Sequence, residues 1–372
     1  MKRFLLPLTL IIAIACSPKK AEENAQAHHI TFYLDTVMVD AGDDIIHLRS
    51  GLHWSGLSDD EKTLFIFNNQ ENKVEVIDME NLRLSHKIPY EREGPNGTGS
   101  IFGFQNLKEG QFLLSDFTSL GIFDEQGQKS YSFKFSNLTK GIFEDDEQIL
   151  PNGVLSDDGK WFFCYYSKGG LGYEGVAKLD MESGALKRVP VEELKEMNKF
   201  TVNVNNDSQQ MKFNMVGNYI SGHKGKILLS NTFENKMLVY DPEKDSFSQH
   251  LFQSQLTRDF AKDIPKNTVE TQGELKEIRN EFEREPSFGK WMFDPSAERF
   301  YRLTSSLEKE VEGLKEYKVV LTVLDKEFRQ IHEAVTPLKK NYFRTFIREG
   351  KLYLYENLDD ELGFVVLSIN EN

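Results

Sequence analysis

The most distinctive local composition in the chain is the glycine-rich loop at residues 93–99, Glu-Gly-Pro-Asn-Gly-Thr-Gly. Successive glycines let a loop turn its backbone N–H groups toward an anion, as phosphate-binding loops do. A phosphate loop opens a helix and ends in Lys-Ser or Lys-Thr, whereas this loop leads into the apolar run at residues 101–104. It is therefore either a ligand loop or a tight crossing between two β modules. Its candidate ligand-binding residues are Glu93, Gly94, Asn96 and Gly97.

Patterns for metal binding and nucleophilic catalysis are sparse. The eight histidines form neither a His-x-His nor a His-Glu-x-x-His pattern, the spacings that bring two imidazoles to one metal. The acidic triplets at residues 145–147 and 359–361 lack the alternating oxygen ligands of a calcium loop. There is no Gly-x-Ser-x-Gly elbow, and Cys164 lies in an aromatic run typical of a buried strand. The sequence thus predicts no cofactor, no metal and no catalytic residue.

The N-terminus carries a secretory signal. Two basic residues, Lys2 and Arg3, precede an apolar run at residues 4–15, which is shorter than the roughly 20 residues that span a bilayer. The end of this run and the next residue, Ala13-Ile14-Ala15-Cys16, resemble the lipobox of bacterial lipoproteins, although that motif usually has Leu where Ala13 stands. The resemblance implies that Cys16 is acylated and becomes the mature N-terminus. The alternative is a plain signal peptide with an ordinary cysteine.

Three segments follow from this interpretation: a lipoprotein signal peptide at residues 1–15, a polar flexible tether at residues 16–28, and a folded part at residues 29–372. Acyl chains hold such a protein on a membrane without spanning it. Ser17 is not acidic, so the resemblance implies the outer membrane. Lys-Ala-Glu-Glu at residues 20–23 is similar to short export signals of surface lipoproteins, and both a periplasmic and a cell-surface orientation stay open.

Composition bounds the class of partner. The 372 residues include 59 acidic and 45 basic side chains, for a net charge of −14, and removal of Lys2 and Arg3 with the signal makes the mature chain more acidic still. Nucleic acid is a poor candidate partner, because such sites neutralise phosphates with clustered Lys and Arg. Aromatic residues make up 12% of the chain, enough to predict a large folded core.

An internal repeat organises the folded part. Six apolar segments share an apolar residue four places and one place before a final Asp or Asn, and a second apolar strand precedes each of them. The six anchored segments are residues 74–78, 120–124, 176–180, 237–241, 321–325 and 366–370, and the strands before them are residues 63–67, 111–114, 160–163, 226–229, 299–303 and 351–355. Asp-rich turns at residues 58–62 and 156–160 precede two of these strands.

Antiparallel modules of roughly 40–50 residues bury their apolar faces only by stacking on one another, and a radial stack of such modules is a β-propeller. Six anchors predict six blades in an all-β fold. The ring must close, and the spare strand at residues 29–39 is available to pair with the last module. An open two-sheet sandwich is the structural alternative.

The turn Ser-Asp-Asp-Gly-Lys at residues 156–160 and the strand Asn-Lys-Val-Glu-Val-Ile-Asp at residues 72–78 resemble blade motifs of TolB-like and YVTN-type propellers. Over nearly the whole mature chain, including residues 90–97 and 300–303, the sequence is similar to an uncharacterised family of six-bladed bacterial lipoproteins. The resemblance implies the architecture and supplies no catalytic residues.

The longest gap between anchors holds a helical insertion at about residues 256–285. Thr271 and Glu274 have capping-box spacing, and Leu275, Ile278 and Phe282 share one face of a helix that ends before Pro286. The helix is either a structural insertion or a lid over a ligand. A second short helix is expected at residues 191–197, and a charged excursion at residues 305–316 is expected to interrupt a strand pair.

These observations favour a non-catalytic, lipid-anchored envelope propeller that binds an envelope protein or a small ligand through its loops or channel. One alternative is a metal-dependent propeller hydrolase or lactonase with carboxylates gathered in the central channel. Another is a purely structural envelope component. Convergence of several Asp, Glu, Asn or His side chains on the axis would distinguish the hydrolase.

Overall fold

The computed structural model describes residues 30–170, 172–206 and 209–371. The predicted signal peptide, the tether and the lipidation residue Cys16 lie outside the described residues. Within the described part, no helix is long and apolar enough to cross a bilayer.

The described chain is predominantly β-structure. The first strand is β1 (Ile30–Met38). Sheet I contains β2 (Ser55–Leu57), β3 (Thr63–Asn68), β4 (Lys73–Asp78) and β5 (Arg83–Pro89). Sheet II contains β6 (Gly103–Asn106), β7 (Phe112–Ser115), β8 (Ser119–Phe123) and β9 (Lys129–Lys134). Sheet III contains β10 (Glu147–Leu155), β11 (Trp161–Lys168), β12 (Gly172–Asp180) and β13 (Leu186–Pro190).

The second half repeats this arrangement around one added sheet. The insertion sheet contains β14 (Thr201–Asn206) and β15 (Gln209–Asn214), together with a third strand from further along the chain. Sheet IV contains β16 (Asn218–His223), β17 (Lys226–Asn231), β18 (Lys236–Asp241) and β19 (Ser246–Leu251). The third strand of the insertion sheet is β20 (Thr268–Val269), which pairs with β14. Sheet V contains β21 (Ser287–Phe288), β22 (Met292–Asp294), β23 (Arg299–Val311), β24 (Leu314–Leu324) and β25 (Gln330–Val335). Sheet VI contains β26 (Thr345–Arg348), β27 (Lys351–Leu358) and β28 (Glu361–Glu371).

The six anchors of the sequence repeat fall at equivalent places, at or just after the third strand of each of sheets I to VI. The first five are Asp78, Asp124, Asp180, Asp241 and Asp325, and a carboxylate oxygen of each accepts the backbone N–H two residues further on, at 2.9 to 3.1 Å. Such Asx turns start the tight connection to the fourth strand. The sixth anchor, Asn370, lies within the last strand, which no fourth strand follows in the chain.

The missing fourth strand of sheet VI comes from the other end of the chain. β1 pairs antiparallel with β28 from Ile30 opposite Glu371 to Met38 opposite Gly363. The predicted pairing of the N-terminal strand with the C-terminal module is therefore confirmed.

Each of sheets I to VI packs on two others through buried apolar side chains. Residues sharing an inter-sheet cluster include Phe67 with Phe112 (I and II), Leu113 with Phe162 (II and III), Phe163 with Tyr240 (III and IV), Leu228 with Phe300 (IV and V), Leu321 with Leu367 (V and VI) and Phe364 with Leu64 (VI and I). The order of packing thus returns to the sheet where it began.

In the described part of the chain, three short helices occupy the connections: α1 (Phe135–Thr139), α2 (Glu192–Lys195) and α3 (Gln272–Phe282). A 3₁₀ turn, Glu196–Phe200, follows α2. Both predicted helices are present. The Thr271 side chain caps α3 by accepting the Glu274 N–H at 3.2 Å. Leu275 and Ile278 are buried in a cluster with valines of β14 and β20, so α3 covers the insertion sheet.

One expected interruption is wrong. The charged excursion predicted at residues 305–316 is continuous hairpin, in which β23 and β24 stay paired as far as Val311 opposite Leu314. A register shift between Leu307 and Lys309 allows the pairing to continue. Charged side chains are compatible with this extension because its tip is exposed to solvent.

Candidate functional site

The first strands of the sheets meet around a cavity of about 440 Å³, here called the inner pocket. Sheets I, II, III, IV and VI contribute β2, β6, β10, β16 and β26, and sheet V contributes the segment between β21 and β22. The lining of the inner pocket comprises residues 52–53, 55–57, 64, 104–106, 152–154, 165, 218–222, 290 and 343–346. Segments from six separate sheets therefore share one cavity.

Side-chain to backbone hydrogen bonds tie these lining strands together. Asn106 donates from Nδ2 to the Leu57 carbonyl at 2.8 Å, joining sheet II to sheet I. Gln105 accepts the Leu155 N–H at 2.7 Å, joining sheet II to sheet III. A Cβ on Gly56 would lie 1.7 Å from the Asn106 Oδ1, so this close approach requires glycine.

A third bond of this type joins sheets III and IV, where the Tyr165 hydroxyl donates to the Tyr219 carbonyl at 2.8 Å. Burial raises the pKa of both phenols, that of Tyr165 well above its usual range. Both therefore stay protonated and neutral at physiological pH.

The boundary between sheets VI and I carries a different contact. The Arg344 guanidinium meets the Nδ1 of His53. Burial, and then the positive charge of Arg344, lowers the pKa of His53. The imidazole is therefore neutral near pH 7, and its Nδ1 accepts the guanidinium hydrogen bond. His53 thus holds Arg344 in place at the pocket.

Lys290 is the second cation of the inner pocket. Its side chain retains accessible surface because it faces the cavity. The surrounding protein lowers the pKa of the Lys290 ammonium, and the charge of Arg344 lowers it further. Desolvation likewise lowers the pKa of Arg344. The two basic groups are close enough to repel each other.

The lining of the inner pocket includes no Asp and no Glu. Across residues 30–170, 172–206 and 209–371, no group of three or more His, Cys, Asp or Glu side chains is placed to hold a metal ion. The carboxylate ligands on which the metal-dependent hydrolase hypothesis depends are therefore not gathered at this cavity. The donors that could reach a ligand are amides, hydroxyls and the two cations.

The four residues predicted from the glycine-rich loop lie outside the inner pocket. The side-chain amide of Asn96 donates to Gln128 at 3.0 Å and accepts the Lys129 N–H at 3.2 Å, and the Gly97 carbonyl accepts from Lys129 Nζ at 2.5 Å. Glu93 and Gly94 are exposed. The loop connects sheet I to sheet II and is fastened to the β8–β9 hairpin, as in a tight crossing between modules. Ligand binding by it stays a prediction.

Two further predictions can be located. Cys164 is buried in β11, and burial raises the pKa of its thiol, which fits the predicted strand setting. No residue of α3 lines the inner pocket. The position of α3 therefore supports a structural insertion rather than a lid over a ligand.

Sequence reasoning missed His53, Lys290 and Arg344. One signal was present: Lys290 is the single charged residue between Ser287 and Phe293, and an isolated charge in an apolar run marks a position that faces solvent or a cavity. His53 and Arg344 lie in loops without a comparable signal.

The family model described as "Domain of unknown function (DUF4221)" matches residues 28–335. A crystal structure of a DUF4221 member from Bacteroides vulgatus superposes with a TM-score of 0.65 at 16% identity, covering 93% of this chain and 99% of that chain. A candidate exported protein from Bacteroides fragilis superposes with a TM-score of 0.53 at 10% identity, covering 92% of this chain and 95% of that one. No curated protein matches the sequence. At these identities the structural likeness concerns the fold alone.

Proposed function

This chain belongs to the DUF4221 family, whose domain is of unknown function, and from that premise we propose that it is a lipid-anchored envelope protein that binds a ligand in the inner pocket without catalysing a reaction. The observation that carries the proposal is that six sheets each send a lining segment to one cavity.

In this proposal sheets I to VI are the blades of a six-bladed propeller, closed by β1. Two observations support the ring. Each sheet packs on two others in an order that returns to its start. The lining strands β2, β6, β10 and β16 also contact one another in sequence, and β22 contacts β26. The insertion sheet and α3 are added at the connections on either side of sheet IV.

A cavity at the centre of such a ring suits binding. Its volume lies within the range of small-molecule sites, roughly 300–1,000 Å³. The inter-sheet bonds of Gln105, Asn106 and Tyr165 hold the lining in one geometry, which lowers the entropic cost of binding. The lining carboxylates that a metal-dependent hydrolase needs are not present there, which favours the binding role.

The proposed location is the outer membrane, with the folded part facing the periplasm or the cell surface. The resemblance of residues 13–16 to a lipobox supports the anchor. The description of the Bacteroides fragilis structure as a candidate exported protein agrees with an envelope or extracellular location.

The anchor is tested by replacing Cys16. We expect Cys16→Ser to move the protein from the membrane fraction to the soluble fraction, because acylation requires the thiol. Cys164→Ser is the matched control, since it removes the buried cysteine and should leave the protein on the membrane. Membrane association that survives Cys16→Ser would contradict the anchor.

Binding in the inner pocket is tested by filling it. A ligand that binds the folded state at 100 times its Kd adds about 2.7 kcal/mol of stability, so a metabolite library is screened by thermal shift with the soluble Cys16→Ser chain. Asn152→Trp places a large side chain at the exposed pocket position 152 and should abolish the shifts. Asn280→Trp on the exposed side of α3 should keep them. Shifts that persist equally in both variants would place binding elsewhere.

A further inference from the structure

The inner pocket concentrates positive charge in a protein that is acidic overall. Lys290 and Arg344 both line it, whereas the whole chain carries a net charge of −14. The two residues come from different sheets, Lys290 from the segment before β22 and Arg344 from the segment before β26. Their proximity is therefore produced by packing between sheets V and VI.

Neither cation has an acidic partner. Among the described residues, no carboxylate lies within ion-pair distance of Lys290 or Arg344. The charge that acts on Lys290 and on His53 comes from Arg344, and no carboxylate shifts the pKa of Lys290, His53 or Arg344. Most other lysines and arginines with shifted pKa values are paired with Asp or Glu, as Lys168 is with Glu144 at 2.6 Å. Two neighbouring cations without a counter-charge repel each other.

We propose that the inner pocket binds a small organic oxyanion whose carboxylate, sulfate or phosphate group lies between the Lys290 ammonium and the Arg344 guanidinium. The inference rests on the proposed function and names its ligand class. An oxyanion there would accept charge-assisted hydrogen bonds from both groups and cancel their mutual repulsion. His53 is a positioning residue, because its neutral Nδ1 orients the guanidinium.

The remainder of the pocket is suited to a polar, hydroxylated ligand body. Asn152 and Ser221 line the cavity, and neither side chain forms a hydrogen bond with another described residue. Their amide and hydroxyl groups can both donate and accept. Phe343 and Phe346 supply apolar surface on the side of Arg344. A sugar acid fits these features and the volume of about 440 Å³.

The test measures binding affinities by isothermal titration calorimetry of the full mature chain carrying Cys16→Ser. The probes are D-glucuronate, inorganic phosphate and D-glucose. Glucuronate and glucose share a ring and differ in a carboxylate, so their comparison isolates the charge, and phosphate distinguishes a bare inorganic anion from a carboxylate ligand. We expect at least one of the two oxyanions to bind, and glucose to bind at least tenfold more weakly than glucuronate if glucuronate is the ligand.

Variants assign the binding to the two cations. A hydrogen bond to a charged group contributes about 1.5–3 kcal/mol, a factor of roughly 10 to 150 in affinity. Lys290→Met and Arg344→Met should therefore each weaken oxyanion binding at least tenfold, and Lys290→Arg should retain most of it. Lys276→Met removes an exposed lysine of α3 and is the matched control for net charge. Thermal melts verify that each variant is folded.

Three results would overturn the inference: no binding of either oxyanion at millimolar concentration, equal loss in Lys276→Met and Lys290→Met, or glucose binding as tightly as glucuronate. A neutral ligand that binds in the pocket, is blocked by Asn152→Trp and is unaffected by Lys290→Met would refute the anion site and leave the proposed binding function intact. A pocket that binds nothing in the library screen would refute both.

Discussion

The substitution Leu367→Ala tests the interface through which the two ends of the chain meet. Leu367 lies in β28, is 0% exposed, and belongs to the cluster that joins sheets V and VI, with Leu321, Leu354 and Ile30 of β1. Its Cα partner across the β1–β28 ladder is Leu34, a residue of the same type that is 42% exposed. The pair therefore provides a buried target and a matched control in one register.

The expected magnitude follows from burial. Leu→Ala removes side-chain carbons worth about 2.4 kcal/mol of transfer free energy at roughly 0.8 kcal/mol per methylene. The cavity left behind raises the cost to about 3–5 kcal/mol, a large part of a typical free energy of unfolding of about 5–15 kcal/mol. Leu34→Ala should cost about 1 kcal/mol or less, because much of that side chain is already in water.

The assay is urea unfolding of the Cys16→Ser chain at pH 7 and 25 °C, followed by circular dichroism, with the free energy taken from the midpoint and the slope. A third variant lacking Ile30–Met38 removes the strand that completes sheet VI and should lower the midpoint more than Leu367→Ala does. A loss below 1 kcal/mol in Leu367→Ala, or equal losses in the two leucine variants, would refute the packing described here. An unchanged midpoint after the deletion would refute the contribution of β1 to the stability of sheet VI.

Three further predictions concern single side chains. Thr271→Ala should destabilise the protein by about 1 kcal/mol, measured by urea unfolding, because α3 loses the cap that accepts the Glu274 N–H; an unchanged midpoint would show that the cap is not needed. Asp325→Ala should cost about 1 kcal/mol and Asp325→Asn much less, because an amide oxygen can still accept the turn N–H groups at 2.9 and 3.0 Å; equal losses would contradict the Asx-turn explanation of the repeat. Burial raises the pKa of the Glu75 carboxyl, so the stability that its proton contributes is complete below about pH 4.3 and is lost as the pH rises. The free energy of unfolding of the wild type relative to Glu75→Gln should therefore fall between pH 4 and pH 7, and a flat or rising difference would contradict this.

The repeat was predictable because its signals are local. An apolar strand that ends in Asp marks its own turn, since the carboxylate accepts N–H groups only two to four residues away. The helix α3 was predictable for the same reason, from its capping spacing and its apolar stripe. The pairing of β1 could be inferred because the predicted ring had to close and the N-terminus had a strand to spare.

The hairpin at residues 305–316 shows where local reasoning fails. Its charged residues suggested a break, yet β23 and β24 remain paired beyond the core. Backbone pairing does not require burial, so charge alone does not end a strand whose partner continues beside it. The glycine-rich loop shows the same limit, because its glycines predict close backbone approach but do not specify whether a ligand or a neighbouring hairpin is approached.

The sequence by itself determined the order of the six anchored modules and the insertion helix, because turn chemistry and apolar alternation act over a few residues. It did not indicate the insertion sheet, and the membrane location stays a prediction from its signal pattern. Only the tertiary structure decided which residues line the inner pocket. His53, Lys290 and Arg344 lie far apart in the chain and belong to segments of three different sheets. They share a cavity because six sheets pack in a closed order, and no local pattern encodes which loops such packing brings face to face.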